Sequence, residues 1–159
     1  MKSFRADHQA PILYLDIDGV LLGKRDPRDS SIGLANHAGE FLEFAVARFR
    51  CCWLSTHTSS GDNAGARIAL SRHADSRMME LVDRIPAAKW VTLKTEALDL
   101  QADFYWIDDG PLATEIDFLE WRGLLDRWIY ADTRRNPDDL DRVTSILSTI
   151  VRNGAIVTP

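Results

Sequence analysis

The stretch ILYLDIDGVLL, Ile12–Leu22, decides how the chain is read: four apolar residues run into two aspartates one residue apart, then a glycine, then apolar residues again. An apolar run without polar alternation suits a strand covered on both faces, as in a parallel sheet with helices above and below. Four more segments have this character: Cys51–Leu54, Trp90–Leu93, Phe104–Ile107 and Trp128–Ala131. Helical patterns lie between them at 36–50, 63–73, 75–85 and 111–123, and a last one spans 136–154. In that last segment Asn136 and Pro137 suit a helix start, acids fill the first turn, and Gly154 is placed to close it. Asn36 is read as a cap in the same way. Leu140, Val143, Ile146, Leu147 and Ile150 make one apolar stripe. Strand alternating with helix predicts an α/β fold: a Rossmann-like, doubly wound sheet of about five mainly parallel strands with helices on both faces.

The totals agree with a single domain over 1–159, with 1–10 as an N-terminal tail and 20–34 as a flap segment. A chain of 159 residues with 45% hydrophobic and 27% charged residues can bury a sizeable core and has no low-complexity tract. The net charge of −5 argues against broad polyanion binding by the whole surface. Cys51 and Cys52 are adjacent in an apolar run, where neither a disulfide nor a zinc site is well served, so they read as inert buried thiols in a reducing compartment. The N-terminus lacks a signal-peptide core, and no stretch of about 18 apolar residues offers a membrane span. These features predict a cytoplasmic protein without a membrane or obligate protein partner.

Residues i and i+2 of an extended chain project to the same side, so Asp16 and Asp18 can face one ligand while Gly19 permits a sharp exit. Two nearby carboxylates repel, and a divalent cation or a proton shared with substrate offsets the cost. A calcium loop of the EF-hand type does not fit: counting from Asp16, the glycine falls too early and Pro27 occupies the place of the bidentate acid. The other strand ends carry Ser55 with Thr56, Lys94, and the pair Asp108 and Asp109. Ligands of doubly wound sheets sit at that edge. Carboxylates, a hydroxyl and an ammonium group gathered there are suited to phosphate: a carboxylate attacks phosphorus, magnesium bridges carboxylates and phosphoryl oxygens, and the lysine and hydroxyl stabilise the transferred charge.

The ordered set LDIDGV, CWLST, TLKTEAL and YWIDDGP resembles the haloacid dehalogenase superfamily, over a core from Ile12 to about Leu112. The resemblance implies a magnesium-dependent phosphohydrolase acting through an aspartyl-phosphate. Asp16 would be the nucleophile and Asp18 the acid and base, its backbone carbonyl joining the Asp16 carboxylate on the metal. Ser55, or in its place Thr56, would hold a phosphoryl oxygen, with Gly19 beside it. Lys94, or in its place Lys89, would balance the charge. Asp108 and Asp109 complete the metal set, with Asp109 aligned to the direct ligand and their order open. The acid at the second position of DxD favours phosphate over halide chemistry.

Neither Gly19–Arg50 nor Thr56–Lys89 has room for a lid domain. By analogy with capless members, an open site would admit a bulky phosphorylated substrate such as a phosphoprotein or a nucleic-acid end. Lys24, Arg25 and Arg28 of the flap, with Arg134 and Arg135, are candidates to grip a further phosphate. His57 reads as a solvated loop residue, and the five tryptophans as core. Asp138 and Asp139 read as partners of a helix dipole. The alternative from another class is a non-catalytic phosphate-binding or regulatory domain that keeps the site without turnover.

Overall fold

The structure, a computed structural model, describes residues 10–155; residues 1–9 of the expected N-terminal tail lie outside them. The apolar run at Ile12–Leu15 forms β1. A short antiparallel hairpin follows, β2 (Leu22–Gly23) and β3 (Gly33–Leu34), and it occupies the expected flap segment. Then come α1 (Ala38–Arg48), β4 (Arg50–Trp53), α2 (Ala64–Ser71), α3 (Ser76–Arg84), β5 (Phe104–Asp108), α4 (Ala113–Trp121), β6 (Trp128–Tyr130) and α5 (Asp139–Ala155). The main sheet has four strands in the order β4–β1–β5–β6, all parallel, with Leu15 beside Trp53 on one side and beside Ile107 on the other.

Alternation along the strands divides the core in two. Leu13, Leu15, Cys51, Trp53, Ile107 and Ile129 face α1, α2, α3 and α5, whereas Tyr14, Phe104 and Trp106 face α4 and the loops beside it. Leu140, Val143 and Leu147 of the α5 stripe are fully buried, and Ile146 and Ile150 pack against them. Burial on both faces is what made these strands read as continuous apolar runs.

Four expectations need correction. Trp90–Leu93 is not a strand. Its N–H groups at Val91, Thr92 and Leu93 all donate to the Glu96 carboxylate, at 2.9–3.1 Å, and cap a short 3₁₀ turn at Lys94–Ala97. Val91 is 81% exposed, so no core rewards an extended pairing there. The edge of β4 is met instead by Pro86–Ala88, through bonds to and from Trp53. Asn36 does not cap α1, because its amide donates to Asp138 and to the Arg25 carbonyl; His37 takes the cap position in a left-handed conformation, φ 61°. Gly154 does not end α5, which runs on to Ala155. Trp121 is 79% exposed rather than core, and Trp90 borders the cleft described below.

The carboxyl ends of β1 and β5 form the point where the chain changes direction: β4 is added on one side of β1, and the next strand, β5, on the other. This places the ends of the two acidic motifs side by side.

Candidate active site

A cleft of about 330 Å³ lies over this point, lined in part by Asp16, Asp18, Thr56, Lys94, Asp108 and Asp109. Asp16 leaves β1 directly, and its backbone N–H donates to Ile107 of β5 at 3.1 Å. Its Oδ1 accepts the N–H of Ile17 at 2.9 Å, which leaves Oδ2 toward Lys94 Nζ at 3.2 Å. Lys94 Nζ lies 2.6 Å from Asp108 Oδ2, and the other Asp108 oxygen accepts the Gly110 N–H. One ammonium therefore bridges two buried carboxylates. Lys89 is exposed and outside the cleft.

The electrostatics follow from burial. Desolvation, reinforced by repulsion from Asp108 and opposed by Lys94, pushes the Asp16 carboxyl from 3.8 up to about 7. Burial works against the Lys94 ammonium, but the two facing carboxylates outweigh it and hold its pKa above the ordinary lysine value. Asp109 is also raised, by burial first and then by Asp108, with Arg134 opposing. Burial raises the thiols of Cys51 to about 12 and Cys52 to about 11; both are free and protonated at neutral pH, Cys51 buried as expected and Cys52 only partly so.

Asp16, Asp108 and Asp109 each bring a carboxylate oxygen to within 4.8 Å of the others. Carboxylate oxygens at that spacing could hold a metal ion. The Asp18 carboxylate stands apart from this group, with Oδ2 at 2.9 Å from His57 Nε2. Gly19 is required by contact: its φ is +75°, and a Cβ there would lie 2.1 Å from Asp109 Oδ2.

The two hydroxyl candidates separate. Ser55 is fully buried and does not line the cleft; its Oγ accepts the His57 N–H, and its carbonyl accepts from Trp90 Nε1. Thr56 is exposed and borders the cleft. Among the basic residues considered, Arg134 reaches the cleft, with Nη1 at 2.9 Å from Asp109 Oδ2. Lys24, Arg25, Arg28 and Arg135 do not line it: Arg28 pairs with Asp26, Arg135 with Asp132, and Arg25 borders a separate cavity beside α1.

Two residues gain a place that the sequence reading did not assign them. His57 is not simply solvated, since it holds Asp18. Glu115, in the first turn of α4 and 2% exposed, accepts the N–H groups of Lys94 and Thr95 on Oε1 and of Leu112 on Oε2. It therefore anchors the turn that carries Lys94. The only prior signal for Glu115 was an acid three residues into a helix, which serves equally as a cap.

No family model, curated protein or solved structure matches this chain.

Proposed function

We propose that the protein is a magnesium-dependent phosphohydrolase that cleaves phosphomonoesters through an aspartyl-phosphate on Asp16. One observation carries the reading: at the direction change of a parallel sheet, the Asp16 carboxylate is paired through Lys94 with Asp108, and Asp18 stands two residues away, free of that pair. One carboxylate is thereby held for attack and another is left for proton transfer.

Asp16, Asp108 and Asp109 would hold the magnesium, which when bound polarises phosphoryl oxygens and favours the ionised Asp16. The chain's own residues supply the remainder. A carboxylate oxygen of Asp16 forms the new bond to phosphorus as the ester oxygen leaves, and Asp18 gives that oxygen a proton. Asp18 then accepts a proton from the water that attacks phosphorus and releases Asp16. His57 holds one oxygen of Asp18 at 2.9 Å, which orients the acid. Lys94 keeps its two carboxylates from repelling one another as charge builds up on the phosphoryl group. Thr56, at the border of the cleft, is the better placed hydroxyl for a phosphoryl oxygen, with Ser55 shaping its turn from below. Among the described residues no separate domain covers the cleft, which favours a phosphate at the end of a bulky molecule.

The test is phosphate release from p-nitrophenyl phosphate, phosphopeptides and phosphorylated oligonucleotide ends, with and without magnesium, using Asp16→Asn as the blank. Magnesium-dependent release that disappears in the blank is expected. Release that is equal in the two proteins would refute the role of Asp16, and no release from any compound would favour a binding domain.

A further inference from the structure

The two cations of the cleft are held in different ways. Lys94 lies between Asp16 and Asp108 with a side chain only 12% exposed, and moving it would strand buried carboxylates. Arg134 makes one contact, Nη1 to Asp109 Oδ2 at 2.9 Å, and its side chain is 42% exposed. Its guanidinium has no other partner among the described residues. Four of its five donors are left for something else.

Its backbone, in contrast, is fixed. The Arg134 N–H donates to Asp132 Oδ1 at 3.1 Å. The neighbouring Thr133 is fully buried, with its N–H on the Gly19 carbonyl at 2.8 Å and its Oγ1 on the Val20 carbonyl at 3.0 Å. The loop after β6 is thus fastened to the turn after β1, and it delivers a planar fork to the cleft from a rigid base. Such a fork matches the oxygens of a phosphoryl group.

Resting on the phosphohydrolase reading, we infer that Arg134 is a phosphoryl-binding residue that exchanges partners: it neutralises Asp109 when no cation is bound, and grips a phosphoryl oxygen of substrate once a divalent cation takes that carboxylate. Two linked consequences follow. The cation must displace Arg134 from Asp109, so Arg134 opposes it when no phosphate is present. Phosphate gives the displaced guanidinium a new partner, so each ligand strengthens the other, and by linkage the effect is reciprocal.

Titration calorimetry on the full chain tests this with magnesium alone, orthophosphate alone, and each in the presence of the other, for wild type, Arg134→Met and Arg134→Lys. Thermal melts establish that the variants fold, as an exposed side chain predicts. Arg134→Met should bind magnesium alone a few-fold more tightly, since an exposed competing ion pair is gone. In saturating magnesium it should bind orthophosphate about tenfold or more weakly, the loss expected for a charge-assisted hydrogen bond. Arg134→Lys should recover part of that loss. If wild type binds both ligands and Arg134→Met binds orthophosphate equally well, or binds magnesium alone more weakly, the exchange is overturned while the phosphohydrolase reading stands. If wild type binds neither ligand, both fall.

Discussion

Replacing Asp16 by asparagine should make the metal-free protein more stable while abolishing its chemistry. The folded Asp16 carboxyl titrates at about 7, against an ordinary 3.8, and each pH unit of difference corresponds to about 1.4 kcal/mol. The gap of about 3 therefore sets a cost of about 4 kcal/mol for holding Asp16 ionised, and the residue is too buried, at 5% exposed, for solvent to screen much of it. The sign follows from the direction. Between about pH 4 and pH 7 the folded protein keeps a proton that the unfolded chain releases, so stability falls as pH rises through that window and the loss is complete above it. Asparagine keeps the shape and the Oδ1 acceptor for the Ile17 N–H but carries no charge, and Lys94 retains Asp108 at 2.6 Å. The difference in unfolding free energy between variant and wild type should then be near zero at pH 4 and reach up to about 4 kcal/mol in favour of the variant at pH 8. Urea unfolding followed by tryptophan fluorescence in EDTA across that range measures it. Two stability profiles that run parallel from pH 4 to pH 8 would refute the reasoning. Magnesium should then reverse the ranking, because it stabilises the protein that binds it more tightly.

Three other substitutions probe the parts that hold the site. Gly19→Ala places a Cβ against Asp109 at a left-handed φ of +75°; about 1–3 kcal/mol of stability should be lost, and calorimetry should show weaker magnesium binding. Glu115→Ala leaves the N–H groups of Lys94, Thr95 and Leu112 without their acceptor. It should cost about 3 kcal/mol by chemical denaturation and lower turnover with it, whereas Glu115→Gln, which keeps an acceptor oxygen, should cost less. His57→Ala frees Asp18 from its partner; kcat should fall by about tenfold, as for the loss of an orienting partner, with little change in KM, and steady-state kinetics on wild type and variant separates the two.

Much of the scaffold was legible because burial and period are written locally. Apolar runs in β1, β4, β5 and β6 marked strands covered on both faces, and the acids following β1 and β5 marked the ligand edge. The same logic erred at Trp90–Leu93, since an apolar run reports a tendency to be buried but not whether a partner strand exists. There the Glu96 carboxylate took the backbone N–H groups that a sheet would have used. Asn36 erred in the same way: its amide suits a helix cap, but Asp138, 102 residues away, claims it.

The sequence by itself determined the strand-and-helix alternation and the spacing that sets Asp16 and Asp18 on one side of the chain, and it left Lys94 and Lys89 as candidates for the lysine at the site, which the structure decided for Lys94. Only the tertiary structure decided that Lys94 bridges Asp16 and Asp108, that Glu115 anchors its turn, that His57 holds Asp18, and that Arg134 is the loop arginine that reaches Asp109. Spacing along a strand or helix is enforced by bonds between near neighbours, whereas these pairs join residues 14 to 78 positions apart. Their geometry exists only once the sheet order has brought the ends of β4, β1, β5 and β6 together.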